Sequence, residues 1–398
     1  MLVNFTVGNY RSFKDKKTLS LEATAITELP EAVIECNNIR LLPSAVIYGA
    51  NSSGKSNFLK AITDFWMMVM RSSSFNSSQT TGVLPFLLNK RTSQEPSFFE
   101  VEFISKSNQY YRYGFEINSE RVVSEWLYKR TSKKVERCLF VRTNDNIGVT
   151  GNFKEGKGLE VRTRDNALFL SVVDSFNGKI ASDIISTFTS LIPISGIAHS
   201  HFAQLSSKQY KHNEIRNESK VLFEKLNFGI KDFNIPDDDE LAKKIKAYTY
   251  HSVYDDDGNV VGETQFNMID FESEGTNKFY DIYLCIYAVL QVGGTLIIDE
   301  FDCKLHPLIT QYLIKQFNSP ETNPGKGQII FTTHDTNLLC CDLFRRDQIW
   351  FVEKDAVESS DIYSLVEFRD AEGTKVRKDR SFEKDYIKGR YGAIPYIK

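Results

Sequence analysis

Eight residues, Gly49-Ala50-Asn51-Ser52-Ser53-Gly54-Lys55-Ser56, fit the spacing G-x-x-x-x-G-K-S. A loop of this kind wraps backbone N–H groups around phosphate oxygens. Glycine opens turns closed to other residues, and the helix that follows begins with free N–H groups at the positive end of its dipole. The surroundings support this chemistry, because an apolar run at 45–48 precedes the loop and a helical pattern over 55–70 follows it. In that helix Phe58, Leu59, Ile62, Phe65 and Trp66 fall on one face. Lys55 is expected to reach the β- and γ-phosphates of ATP and the Ser56 hydroxyl to hold Mg²⁺. Asn51, Ser52, Ser53 and Asn57 complete the expected cradle.

Two further strand ends carry reactive groups. Thr295-Leu296-Ile297-Ile298-Asp299-Glu300 is an apolar run closed by two carboxylates. Asp299 is placed to complete a Mg²⁺ shell, and Glu300 to orient and deprotonate an attacking water. Many strands end in acids, so this run takes its meaning from the phosphate loop. Phe331-Thr332-Thr333-His334 repeats the pattern, with His334 beyond the carboxyl end of a strand, where ligands of an open α/β sheet gather. Ser273-Glu274-Gly275-Thr276-Asn277-Lys278 opens the helix before the Asp299 strand. Ser273 suits an N-cap and Gly275 leaves room for a phosphate, although alone this is only a capped helix start.

The elements that must position these groups alternate around Gly49 and Asp299 as strand and helix, which predicts a parallel sheet with helices. Short alternating runs from about 98 to 142 predict an antiparallel sheet appended to that core. The period is then lost, and 165–228 reads as mainly helical, a lid or arm. Residues 247–254 and 260–271 flank Asp255-Asp256-Asp257-Gly258-Asn259 and predict a hairpin. The expected organisation is an N-terminal part of the nucleotide head with the antiparallel sheet (1–150), a helical insertion (151–240) and a C-terminal part of the head (241–398).

Composition bounds the setting. The 398 residues, 41% of them hydrophobic and 25% charged, suffice for a large core in a soluble chain. A net charge of −3 gives no global pull toward nucleic acid or anionic membrane. The six cysteines include no CxxC, which suits reduced thiols. Charged and polar residues come too early at the N-terminus for a signal peptide. The apolar stretch 282–298 is cut by Gly293-Gly294, so it predicts a helix, a turn and a strand and no membrane span. The expected location is the cytoplasm.

The order of these motifs resembles that of ABC-type P-loop ATPases, in which S-x-G-x-x-K is the signature. Asn9-Tyr10-Arg11-Ser12-Phe13 resembles the N-terminal strand of the RecF/SMC branch. The run from Asp299 to Pro307, DEFDCKLHP, is similar to a block found there and in OLD-type ATPases. The close, Lys388-Gly389-Arg390-Tyr391-Gly392-Ala393-Ile394-Pro395, resembles that of bacterial AAA-like, ABC-type ATPases of anti-phage and abortive-infection loci, such as the Septu and PARIS subunits. The resemblance covers roughly the first 60 and last 130 residues. It implies a homodimer or higher oligomer in which Ser273 and Gly275 of one copy cap the γ-phosphate held by Lys55 of another. It also implies Asp302 signalling across that interface and Arg11 near the nucleotide. An effector such as a nuclease or toxin is the implied partner, while a RecF-like clamp on DNA is the rival reading. The family's Mg²⁺-sensing glutamine has no counterpart at Gln79 or Gln94.

Other features have plainer readings. Asp237-Asp238-Asp239 and Asp255-Asp256-Asp257 suit a helix start and a hairpin tip better than a nuclease metal site. His199 and His201 lack the partners of a metal site. Lys129-Arg130, Lys133-Lys134 and Arg137 suit a solvated turn, and the tail 375–390, with seven Lys or Arg against three acids, suits either exposed surface or a partner site.

Overall fold

The opening apolar alternation forms β1 (Leu2–Gly8), paired antiparallel with β2 (Lys17–Ser20). In this computed structural model residues 1–131, 135–195, 213–237, 241, 246–370 and 372–395 are described. Next comes a hairpin the sequence did not announce, β3 (Ile34–Cys36) and β4 (Ile39–Leu41). Its turn residues Asn37 and Asn38 both take positive φ, 52° and 58°, a conformation asparagine tolerates. β5 (Ser44–Tyr48) is buried throughout, and α1 (Lys55–Arg71) follows the phosphate loop.

The expected antiparallel runs form β6 (Ser97–Ile104), β7 (Tyr110–Ile117), β8 (Val122–Arg130), β9 (Glu136–Thr143) and a further strand β10 (Asn146–Val149). They extend β1 into one seven-stranded sheet, ordered β10-β9-β8-β7-β6-β1-β2. Then come α2 (Phe169–Ser175), α3 (Lys179–Phe188), β11 (Leu191–Ser195) and α4 (Asn213–Lys225). The stretch read as mainly helical thus also holds β11, and β12 (Asp232–Asn234) follows it closely. His199, His201, Lys133, Lys134, Asp238 and Asp239 lie outside the described residues.

The predicted hairpin is β13 (Tyr248–Tyr254) and β14 (Val260–Asn267); its second arm ends early, in the short helix α5 (Met268–Phe271). Asn267 makes that change by accepting from the Ile269 N–H through its side chain. At the hairpin tip, Asp255 Oδ1 accepts from the N–H groups of Asp257 (3.1 Å) and Asn259 (2.7 Å), so its acid shapes a turn. The remaining elements are α6 (Glu274–Val292), β15 (Thr295–Asp299), α7 (Pro307–Asn318), β16 (Gln328–Thr332), β17 (Ile349–Lys354), β18 (Ser360–Ser364) and α8 (Phe382–Ile387). Among the described residues no helix is long and apolar enough to cross a membrane.

The chain divides into two units. One comprises Met1–Pro193, Val289–Asp299 and Ile314–Lys398; the other comprises Ile194–Ala288 and Glu300–Leu313. The first unit carries the seven-stranded sheet and a six-stranded sheet ordered β11-β15-β16-β5-β17-β18, parallel across β15, β16, β5 and β17. Its core is strongly aromatic. Phe65 of α1 stacks on Phe115 at 5.4 Å and meets Phe5 edge-on at 5.9 Å, and all three are buried. Each such ring contributes about 2–3 kcal/mol through burial alone. The second unit has the three-stranded sheet β12-β13-β14 and a smaller aromatic centre around Phe223, Phe233 and Phe279.

One buried carboxylate ties the antiparallel sheet to α2. Glu125 is fully buried, accepting from Tyr113 Oη (2.8 Å) and from the N–H groups of Phe169 (2.6 Å) and Leu170 (3.0 Å). Burial pushes its pKa up, while those donors and nearby Arg142 oppose the shift. Glu125→Ala would strand three buried donors, so it is expected to cost about 3 kcal/mol or more of stability, read from denaturant unfolding.

Candidate functional site

Strand register brings the predicted groups to one end of the parallel sheet. Ile298 of β15 pairs with Phe331 of β16, and Thr332 pairs with Ile47 of β5. Asp299, Thr333-His334 and Tyr48-Gly49 therefore leave the sheet together at the carboxyl ends of three adjacent strands. Thr332 Oγ1 donates to Asp299 Oδ1 at 2.6 Å, which fixes the carboxylate at the strand end. His334 is exposed just beyond.

The phosphate loop is held from behind by two segments distant in sequence. Gly49 has no room for a side chain, since a Cβ would lie 2.3 Å from the Val352 carbonyl of β17. At Gly54, φ is +117° and a Cβ would lie 2.3 Å from Ser360 Oγ and 2.8 Å from Ser12 Oγ. Ser360 Oγ donates to the Ser53 carbonyl (2.6 Å), its N–H donates to the Ser12 carbonyl (2.7 Å), and Asn57 Nδ2 donates to Ser12 Oγ (2.9 Å). Ser52 takes φ +64° at the exposed tip. Lys55 is buried, with Nζ donating to the carbonyls of Gly49 (2.9 Å) and Ala50 (3.0 Å), so its charge sits inside the loop.

This arrangement fits a phosphate. Ser53 Oγ is buried without a hydrogen-bond partner, the lysine charge is in the cradle, and free N–H groups begin α1. It also fits Mg²⁺, because Ser56 stands exposed at the first turn of α1 and Asp299 supplies a hard oxygen ligand. Arg11 lies in the tight Tyr10–Phe13 turn, with φ +47°, and its Nε donates to Tyr10 Oη (3.1 Å), which in turn donates to Asp64 (2.6 Å). Its N–H donates to the Leu84 carbonyl (3.0 Å), and its neighbour Ser12 reaches the loop. Burial and Asp64 push the Tyr10 phenol up, well out of its ordinary range.

In the second unit, Ser273 Oγ accepts from the Thr276 N–H at 3.0 Å, the expected cap of α6. A Cβ on Gly275 would lie 2.7 Å from the Lys304 carbonyl, so the helix start presses directly on the turn after β15. Lys278 fastens the two. Its buried Nζ donates to the carbonyls of Glu300 (3.2 Å), Phe301 (3.1 Å) and Cys303. Glu300 opens that turn with φ +54°, and Asp302 lies half-buried within it. Sequence reasoning quoted Lys278 only as the last member of a motif, and it missed Ser12 and Ser360 as supports of the loop. Ser360 had no local signal, being 307 residues from Ser53.

Burial lowers the Lys278 ammonium from 10.5 to about 8, against the opposing pull of Cys303, Asp302 and Glu300. The unfolded chain therefore holds this proton more tightly, and the burial penalty is fully present below about pH 8 and relieved as pH rises toward 10.5. Lys278→Met leaves three carbonyls without their donor and should cost about 3 kcal/mol near neutral pH. The stability gap between wild type and this variant should widen between about pH 8 and about pH 10 in paired denaturant titrations.

The sequence model of the family described as "AAA domain, putative AbiEii toxin, Type IV TA system" matches residues 44–340, from the first residue of β5 past His334. No curated protein matches the chain. Solved structures that resemble it include the SMC head domain from Thermotoga maritima, at 12% identity and TM-score 0.43, covering 91% of this chain and 98% of that one. Another is the recombination mediator protein RecF of the RecFOR pathway, at 12% identity and TM-score 0.31, covering 91% and 98%. With its phosphate loop, its strand-end acid and the strands β5, β15 and β16 inside the matched region, the chain belongs to that AAA-domain family.

Proposed function

We propose that this chain binds ATP with Mg²⁺ and hydrolyses it at a site that two copies complete, using the cycle to control an effector protein. The observation that carries the proposal is the loop at Gly49–Ser56 with the Lys55 charge inside it, beside a strand end whose Asp299 is fixed by Thr332. Lys55 would shift from the loop carbonyls to the β- and γ-phosphate oxygens of ATP. Ser56 and Asp299 would hold Mg²⁺, which would supply positive charge to offset that of the phosphates. Glu300 would accept a proton from the water that attacks the γ-phosphorus as the bond to the ADP oxygen breaks, and His334 would hydrogen-bond the γ-phosphate. Ser273 and Gly275 of a second copy would cap that phosphate, with Asp302 beside the same interface.

The effector role draws on the family description, whose words name an AbiEii toxin and a type IV toxin–antitoxin system. A nuclease or toxin subunit of an anti-phage system is the kind of partner this reading implies. In a combined measurement of ATP turnover and particle mass, Glu300→Gln should lower turnover by about a hundredfold or more and trap an ATP-dependent dimer. Lys55→Ala should lose both turnover and the dimer. A wild-type chain that neither hydrolyses ATP nor changes mass with it would end the proposal. Turnover raised several-fold by duplex DNA would move the reading toward a DNA clamp.

A further inference from the structure

The C-terminal segment closes over a second cavity that shares no residue with the phosphate loop. Its volume is about 300 Å³, at the lower end of small-ligand pockets. One wall is aromatic: Phe368 and Tyr391 meet edge-on at 5.5 Å, and Tyr391 is fixed behind by Phe351 at 5.6 Å. The same lining carries cations, Lys375, Arg380 and Arg390, as its rim.

The charges on that rim are not balanced. Asp385, 7% exposed, is shared by two guanidiniums. Arg380 holds it with two bonds, one of them Nη2 to Oδ1 at 2.9 Å, while Arg390 Nε stands 3.5 Å from the same oxygen. Tyr391 Oη donates to the other oxygen at 3.2 Å. One carboxylate faces two permanent cations, and the Arg390 side chain is half-exposed. Lys375 is exposed, and among the described residues its Nζ has no hydrogen bond or ion pair. Two other charged groups line the cavity, Arg377, which has an acid of its own, and Asp370, whose carboxylate shapes a turn of the lining. Arg377 pairs with Asp379 (2.7 Å), and Asp370 Oδ1 accepts from the N–H groups of Glu372 (3.1 Å) and Thr374 (2.7 Å).

The geometry points to a nucleoside phosphate as the ligand of this cavity, with its base against Phe368 and its phosphate between Arg390 and Lys375. An aromatic wall gains from any base through stacking, and an arginine beside a lysine is suited to a phosphate that carries the base's sugar. Inorganic anions would use only the rim, and an apolar ligand only the wall. The ligand chemistry has two sources, a free mononucleotide or the 5′ end of a nucleic acid strand. This inference is independent of the ATPase reading.

Calorimetric titration of the full chain with AMP, with a 5′-phosphorylated oligothymidylate of about ten nucleotides and with inorganic phosphate separates these cases. Each titration is run in wild type and in Lys55→Ala, which removes the phosphate loop's contribution. Binding of AMP or the oligonucleotide that survives Lys55→Ala is expected, weakened on the order of tenfold by Arg390→Ala or Lys375→Ala and partly kept by Arg390→Lys. Comparable affinity for AMP and oligonucleotide assigns the free nucleotide; clear preference for the oligonucleotide assigns the strand end. Arg390 is half-exposed and Lys375 exposed, so both variants should keep the wild-type melting temperature, which the same samples report. The inference is overturned by an absence of binding in Lys55→Ala, by affinities indifferent to both rim substitutions, or by inorganic phosphate binding as well as AMP.

Discussion

Parallel register across β15, β16 and β5 is the constraint on which the candidate site depends. Three strands that end level deliver an acid, a histidine and a glycine loop to one edge, and no single loop could do so alone. The backbone hydrogen bonds that set this register lie among fully buried residues such as Ile297, Ile330 and Val46, where a slip of one residue would turn apolar side chains out of the core. Site geometry and core packing are therefore satisfied by the same alignment. The Thr332–Asp299 bond then needs only adjacent strands to form.

The phosphate loop shows a second kind of constraint, exclusion. Its glycines answer to Val352, Ser12 and Ser360, which come from both ends of the chain. The loop thus owes its shape to a strand order that places β17 beside β5 and β18 beyond it. Until those late strands dock, the loop lacks the surface that fixes it, so its competence to bind phosphate is a property of the completed first unit.

Much of this was legible in the sequence because it is local. The phosphate loop, the apolar run before Asp299 and the alternation from β6 to β9 each declare themselves within a dozen residues. What was not legible depends on partners far away or on polar groups used inside the core. Glu125 sits in an alternating strand and reads as a solvent-facing acid, yet it is buried because Tyr113 and the start of α2 satisfy it. Ser360 is one serine among many until the sheet brings it to Ser53. Lys278 enters the sequence reading only as the close of a motif, and the turn after β15 gives it three carbonyls to hold. Arg11 was placed by resemblance near the nucleotide; its Nε bonds Tyr10 Oη and its N–H the Leu84 carbonyl. The Asn37-Asn38 hairpin was missed although its turn residues were visible, because its strands are only three residues each.

One of the four points at which the chain passes between the two units is the peptide bond after Asp299, so Asp299 belongs to the unit of the phosphate loop and Glu300 to that of the Ser273 cap. Adjacent carboxylates are ordinarily treated as one functional pair. Here one is anchored by a threonine in the parallel sheet, and the backbone of the other is gripped by a lysine of α6. A change at Thr332 therefore acts on the side chain of the first carboxylate, and a change at Lys278 acts on the backbone of the second.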